Sequence, residues 1–140
     1  MQVTFNASVG LLGAIVNETD GHQHAPVNST EKKNGRTENL YKIQCFPLYS
    51  MLVAVGRTQV DYFSLDVEGS EYKILRTIPW TKLDITTLTV EWNHVPEGEK
   101  AITRLMEENQ YIKFGQISMY HSQEVVYVKD FLYDFRQYYD

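Results

Sequence analysis

The chain has 140 residues, of which 43% are hydrophobic and 22% are charged, and its formal net charge is -5. These values are typical of a single globular domain with a modest core. The acidic balance argues against a nucleic-acid partner, because phosphate binding favours a basic surface. No run of eighteen apolar residues occurs, so the sequence predicts no membrane-spanning helix. The single cysteine, Cys45, excludes an internal disulfide.

Residues 1–39 are predicted to form an irregular N-terminal arm and polar loop. Residues 7–16 are apolar and contain two glycines, which is typical of a strand or hairpin arm. Residues 17–39 are polar and are predicted to be one long irregular connection. Three Asn-x-Ser/Thr sequons lie in the first thirty residues. Their clustering favours the secretory pathway (endoplasmic reticulum or Golgi) over the cytoplasm, and chance occurrence is the alternative.

Strand-like and helical runs alternate through the rest of the chain. The periodicity predicts a strand at 41–46, a helix at 47–55, a strand from Val60, a helix from Ser70, a strand at 85–92, a helix from Pro96, and strands at 111–119 and 124–131. The short connection between the last two strands predicts an antiparallel hairpin. The sequence therefore predicts an α/β domain over residues 40–131, followed by an aromatic tail at 132–140.

The central run, residues 60–76, is the most informative. An apolar stretch of strand length ends at Asp66, turns at Gly69 and continues with helical spacing. Ligands of open parallel sheets bind outside the carboxyl ends of the strands, so Asp66 and Glu68 lie where a site is expected. Glu71 is interpreted as structural, because negative charge is favourable near a helix N-terminus.

Asp66 and Glu91 are the principal candidate pair. They are separated by 25 residues, about one strand–helix–strand crossover, so their strands are predicted to be neighbours. Two converging carboxylates either share a proton or hold a divalent cation, to which Asn93 would add an amide oxygen and His94 an imidazole nitrogen. His94 is a candidate general base towards an acceptor hydroxyl. The alternatives are that Asp66 caps the following helix, that Glu91 points into solvent and that His94 is a solvated loop residue.

The same residues resemble a known family. Asp66-Val67-Glu68-Gly69-Ser70-Glu71 is similar to the Asp-Val-Glu-Gly-x-Glu signature of the FkbM-type methyltransferases, and residues 88–96 resemble their animal, Star-like branch. The resemblance covers roughly residues 40–130 and implies an S-adenosylmethionine-dependent O-methyltransferase on a Rossmann-like fold. It implies the C-terminal half of that sheet, ending in an antiparallel hairpin, with a small-molecule or glycan hydroxyl as acceptor.

Within this resemblance, Asp66, Glu91 and His94 are the expected catalytic residues, and Glu68 is the expected cofactor-binding residue. The set Asp66, Glu91 and Asn93 resembles the magnesium site of some small-molecule O-methyltransferases.

One expected feature of a cofactor site is missing from the sequence. S-adenosylmethionine sites need a strand that runs into a glycine-rich turn, but two leucines separate Gly10 from Gly13 and no helical pattern follows. We therefore expect a truncated or shortened, inactive relative. The rival function is a non-catalytic Star-like protein that supports trafficking of a client protein. A truncated sheet would expose one edge of the strand at 60–66, so self-association is expected unless residues 3–16 pair there.

Overall fold

The computed structural model describes residues 2–7, 14–15, 29–33 and 36–133. The described elements are β1 (Gln2–Asn6), β2 (Ala14–Ile15), β3 (Ser29–Lys33), β4 (Arg36–Gln44), α1 (Leu48–Ala54), β5 (Gln59–Leu65), α2 (Glu71–Leu75), β6 (Asp84–Glu91), α3 (Gly98–Glu108), β7 (Tyr111–Ser118) and β8 (Gln123–Lys129). They fall into two compact units, Met1–Phe46 and Pro47–Asp140. The predicted domain limits at residues 39 and 131 stay a prediction.

The N-terminal unit contains a four-stranded antiparallel sheet in the order β2-β1-β4-β3. Strand β1 pairs with β2, as expected for a hairpin arm, although Gly10 and Gly13 lie outside the described residues. Strands β3 and β4 pair along their length, from Lys33 opposite Arg36 to Ser29 opposite Leu40. The sequence predicts an irregular connection over most of this segment. That prediction was wrong for residues 29–33 and 36–39. The overlooked signal is the Asn34-Gly35 pair, a dipeptide strongly favoured between hairpin strands.

The C-terminal unit contains a mixed sheet in the order β5-β6-β8-β7. Strands β5 and β6 are parallel, and α2 lies in the crossover between them. Strand β8 is antiparallel to both β6 and β7. The predicted α/β class and the predicted C-terminal hairpin are therefore both observed. Within the described residues β5 has β6 as its single strand partner, whereas β1 pairs with β2 and β4.

Strand β6 is central to the core of this unit because neighbouring strands lie on both of its sides. The side chains of Ile85, Leu88 and Val90 are fully buried, as expected for a strand covered on both faces. Helix α3 buries Ile102 and Met106, which lie one helical turn apart and so share a face. These contacts fix the position of β6 and with it the position of its carboxyl end at Glu91. No helix among the described residues is long and apolar enough to cross a membrane.

Candidate functional site

The parallel pairing of β5 and β6 brings Asp66 and Glu91 together. Leu65 lies opposite Val90 in the ladder, so the next residue of each strand is Asp66 and Glu91 at the same edge of the sheet. The predicted convergence of the two carboxyl groups is thus observed, and a carboxyl oxygen of Asp66 lies within 4.8 Å of one of Glu91.

Glu91 is the most unusual residue of the site, because it is a carboxyl group that is only 3% exposed. The pKa of Glu91 is raised from 4.5 to about 7, first by burial and then by the neighbouring carboxyl groups of Asp66 and Glu68, while His94 acts in the opposite direction. The Oε2 atom of Glu91 has no hydrogen-bond partner within the described chain. A buried oxygen without a partner costs about 1–3 kcal/mol.

Glu68 and His94 form a second contact beside this pair. The Nδ1 atom of His94 lies 2.8 Å from Oε2 of Glu68 and 3.6 Å from Oε2 of Glu91. The first distance is that of a hydrogen bond, and the second is too long for one. The side chain of His94 is 45% exposed and that of Glu68 is 19% exposed, so the site opens to solvent on the His94 side. The sequence predicts both residues near the site but not their contact.

The turn that carries Glu68 is held by Glu71. The carboxylate of Glu71 is completely buried and accepts hydrogen bonds from the backbone N–H groups of Val67, at 2.7 Å, and Gly69, at 2.9 Å. These bonds close a turn in which Glu68 and Gly69 both have positive φ, 56° and 101°. The structural interpretation of Glu71 therefore agrees with the structure, although it acts through these two bonds rather than through the helix N-terminus alone.

Gly69 is required at its position for two reasons. Its φ of 101° is one that residues with a side chain rarely adopt. A Cβ atom at Gly69 would also lie 2.7 Å from the carbonyl oxygen of His94, inside van der Waals contact. The turn after β5 therefore packs directly against the backbone after β6, which sets the distance between Glu68 and His94.

Two alternatives from the sequence analysis are wrong. Helix α2 has Ser70 as its N-cap residue and no side-chain cap, so Asp66 does not cap this helix. Glu91 does not point into solvent, because it is almost completely buried.

The side chain of Asn93 lies between His94 and β8, with its Nδ2 atom 3.4 Å from Nδ1 of His94. Its Oδ1 atom accepts a hydrogen bond of 3.1 Å from the backbone N–H of Gln123 at the start of β8. This bond engages the oxygen that the sequence analysis assigned to a cation with Asp66 and Glu91. The structure instead groups the donor atoms of Glu68, Glu91 and His94, which lie within 4.8 Å of one another. A second group of the same size contains Asp66, Glu71 and Glu91.

Neither turn that leads from a parallel strand into a helix fits S-adenosylmethionine within the described chain. The turn after β5 has one glycine, Gly69, which is already packed against the His94 carbonyl. The turn after β6 has its single glycine at Gly98, where α3 begins, and so lacks the series of glycines found in nucleotide-binding turns. Glu68, the expected cofactor-binding residue, lies in hydrogen-bond contact with His94. Close approach of backbone to a nucleotide cofactor needs glycines that these turns do not provide.

Comparison with known proteins identifies the family. The model of the Methyltransferase FkbM domain matches residues 3–127, which is most of the chain and extends well before the predicted start near residue 40. No curated protein and no solved structure matches the chain significantly. The Star-like branch stays a prediction. The chain belongs to the FkbM methyltransferase domain family.

Proposed function

We propose that this chain supplies the acceptor side of an O-methyl transfer site. The proposal is supported by one observation above all: Asp66 and Glu91 converge at the carboxyl ends of two parallel strands. Glu68 and His94 extend the same cluster to the surface. The FkbM family implies a methyltransferase-like function, and methyltransferases in general use S-adenosylmethionine as donor.

The acceptor that suits this cluster is a hydroxyl group of a small molecule or a glycan. Methyl transfer to a hydroxyl oxygen releases the hydroxyl proton, and a nearby carboxylate or imidazole must accept it. Asp66 is exposed at the strand end and is the group best placed for that role. Glu91 and His94 shape the site around the acceptor oxygen. The three neighbouring carboxyl groups accept hydrogen bonds, and the hydroxyl groups of a sugar or phenol can donate them.

We propose further that the chain by itself does not bind S-adenosylmethionine and is inactive alone. The support is the poor fit of both described turns to a nucleotide cofactor, together with the absence of a glycine-rich turn from the sequence. Calorimetry of the purified chain with S-adenosylmethionine should give no saturable heat. Micromolar binding would contradict this part of the proposal.

The acceptor side is tested independently of the donor. Titration of the ¹⁵N-labelled chain with methyl glycosides and simple phenols should shift the amide signals of residues near Asp66, Glu91 and His94. The variant Asp66→Asn should lose these shifts, while Asp61→Asn, an exposed position on the same strand, should keep them. Shifts confined to other regions, or no shifts with either class of probe, would overturn the assignment of the acceptor site.

One observation favours a second candidate, a non-catalytic Star-like protein that binds a client in the secretory pathway. The large apolar side chains of Phe114, Met119 and Tyr120, on and after β7, are exposed. Exposed apolar side chains that lie close together often mark protein contacts. A client bound there would be insensitive to Asp66→Asn but sensitive to Phe114→Ser. N-glycans on the sequons of protein isolated from its source cells would support the secretory location, and unmodified sequons would oppose it.

A further inference from the structure

The charged cluster at the strand ends contains one buried oxygen atom that the neighbouring described side chains leave without a hydrogen bond. Oε2 of Glu91 is buried, lacks a hydrogen-bond partner within the described residues and is directed at the Glu68–His94 contact. Buried polar atoms are nearly always satisfied, so an orphaned carboxylate oxygen indicates a missing partner. The missing partner lies where donor atoms of three side chains meet.

We infer that Glu68, Glu91 and His94 form a binding site for a divalent transition-metal ion of the Mn²⁺ or Zn²⁺ type. This donor set differs from the one expected from the sequence, because Glu68 takes the place of Asp66 and Asn93, whereas Glu91 and His94 are common to both. It uses the site of the proposed function but does not depend on methyl transfer, since ion binding is a property of the chain alone.

The geometry is close to that of a coordination sphere. Donor atoms bound to one ion at about 2.1 Å lie about 3–3.5 Å apart. The distance between His94 Nδ1 and Glu91 Oε2 is 3.6 Å, and that between His94 Nδ1 and Glu68 Oε2 is 2.8 Å. All three donor atoms lie within 4.8 Å of one another. An ion bound among them would take the place of the proton through which Nδ1 of His94 contacts Glu68.

The electrostatics favour a cation at the same place. A carboxyl oxygen of Glu91 lies within 4.8 Å of one of Glu68, and Asp66 approaches Glu91 within the same distance, so three negative charges are crowded together. A divalent ion would relieve the repulsion and would stabilise the ionised carboxylate. The graded exposure of the ligands, from buried Glu91 to half-exposed His94, provides an entry path from solvent.

The ligand types determine the class of ion. An imidazole nitrogen suits Zn²⁺, Fe²⁺ and related ions, and carboxylates suit Mn²⁺. Mg²⁺ demands oxygen ligands in near-ideal octahedral geometry, so it should bind more weakly here. The other acidic group of the structure is a poorer candidate. Both oxygens of its member Glu71 already accept backbone hydrogen bonds, so that carboxylate is engaged in the turn.

The experiment is a titration of the purified, chelator-treated chain with Mn²⁺, followed by electron paramagnetic resonance of the free ion. We expect saturable binding of one ion per chain, displaced by Zn²⁺ and only weakly by Mg²⁺. Each of Glu68→Gln, Glu91→Gln and His94→Gln should weaken binding at least as much as the roughly tenfold loss that even an outer-shell change causes. The matched controls Glu97→Gln and His121→Gln alter exposed residues outside the site and should bind like the parent.

Several outcomes would overturn the inference. They are no saturable Mn²⁺ or Zn²⁺ binding, binding that survives all three ligand variants, or binding that the two control variants abolish. If Glu91→Gln fails to fold, the decision passes to Glu68→Gln and His94→Gln, whose side chains are more exposed. Ion binding without glycoside or phenol shifts would contradict the proposed function alone. Probe-induced shifts without ion binding would contradict this inference alone, with water as the partner of Glu91 Oε2.

Discussion

Two glutamates of the C-terminal unit, Glu91 and Glu99, have pKa values that are shifted in opposite directions by their surroundings. Glu99 accepts hydrogen bonds from the Thr103 hydroxyl at 2.6 Å and from the Lys113 ammonium at 2.9 Å, and these bonds lower its pKa. Glu91 is buried beside further acids, and its pKa is raised. Glu99 therefore contributes stability at neutral pH, whereas Glu91 reduces it. Ionisable groups whose charged form costs stability cluster at functional sites. The proposed site therefore lies at the strand ends, beside Glu91, and not in the α3–β7 region, beside Glu99.

The largest expected effect comes from a substitution in the turn between β5 and α2, which carries Glu68. Gly69→Ala combines a strained φ with a 2.7 Å approach to the His94 carbonyl. Backbone strain costs about 1–3 kcal/mol and overpacking a similar amount, so we expect a loss of about 4 kcal/mol in the free energy of unfolding. Urea denaturation measures it. The control Gly56→Ala has a positive φ but no neighbour within 4 Å, so its loss should be smaller. Equal losses would show that the His94 contact is unimportant.

The second largest effect should be a gain in the free energy of unfolding, when Glu91 is replaced. The pKa of Glu91 is about 7 in the folded chain against 4.5 for an ordinary glutamate, so the folded state binds more protons between these values. Stability should therefore fall as pH rises from about 4.5 to about 7. Glu91→Gln removes this dependence and, in chelator-treated buffer at pH 8, should stabilise the chain by about 3 kcal/mol. At pH 4 the difference should vanish.

Urea denaturation across this pH range gives the result for Glu91→Gln, with the exposed Glu97→Gln as control. A loss of stability at pH 8 would mean that Glu91 is satisfied by a partner and would remove the contrast with Glu99.

The smallest expected effect concerns Glu99, the glutamate whose pKa is lowered. A lowered folded pKa means that Glu99 contributes stability above its unfolded pKa and loses it as pH falls. Glu99→Gln should therefore cost about 1 kcal/mol at pH 7 and less at acidic pH, the value of a well-placed pair near the surface. Glu108→Gln, which breaks a largely exposed pair with Arg104, should have almost no effect. If thermal melting shows the two variants to be equivalent, the partners of Glu99 do not stabilise the fold.

The convergence of Asp66 and Glu91 could be predicted because it follows from a regular feature, the crossover between adjacent parallel strands. One strand–helix–strand unit places the ends of both strands at one edge whatever the details of side-chain packing. The order of elements from residue 48 to 129 followed for the same reason, since hydrophobic periodicity is local information.

The contacts within the site could not be predicted because they depend on irregular backbone. The pairing of Glu68 with His94 requires a turn with two positive φ angles and a close approach of two backbones, neither of which has a periodic signature. The engagement of Asn93 by Gln123 requires knowledge of which strand lies beside β6. The β3–β4 pairing could not be predicted from hydrophobic periodicity, because its strands are mostly polar.

The register of β5 against β6 has a consequence for how the gene tolerates change. Leu65 is level with Val90, and successive side chains of a strand point to opposite faces. Deletion or insertion of one codon within β5 would move Asp66 out of line with Glu91 or turn the buried Leu65 outward. One codon more in the segment 76–83, between α2 and β6, would leave both strand ends in register. The domain therefore keeps its strand ends aligned when a codon is added between α2 and β6, but not when one is added within the seven residues that precede Asp66.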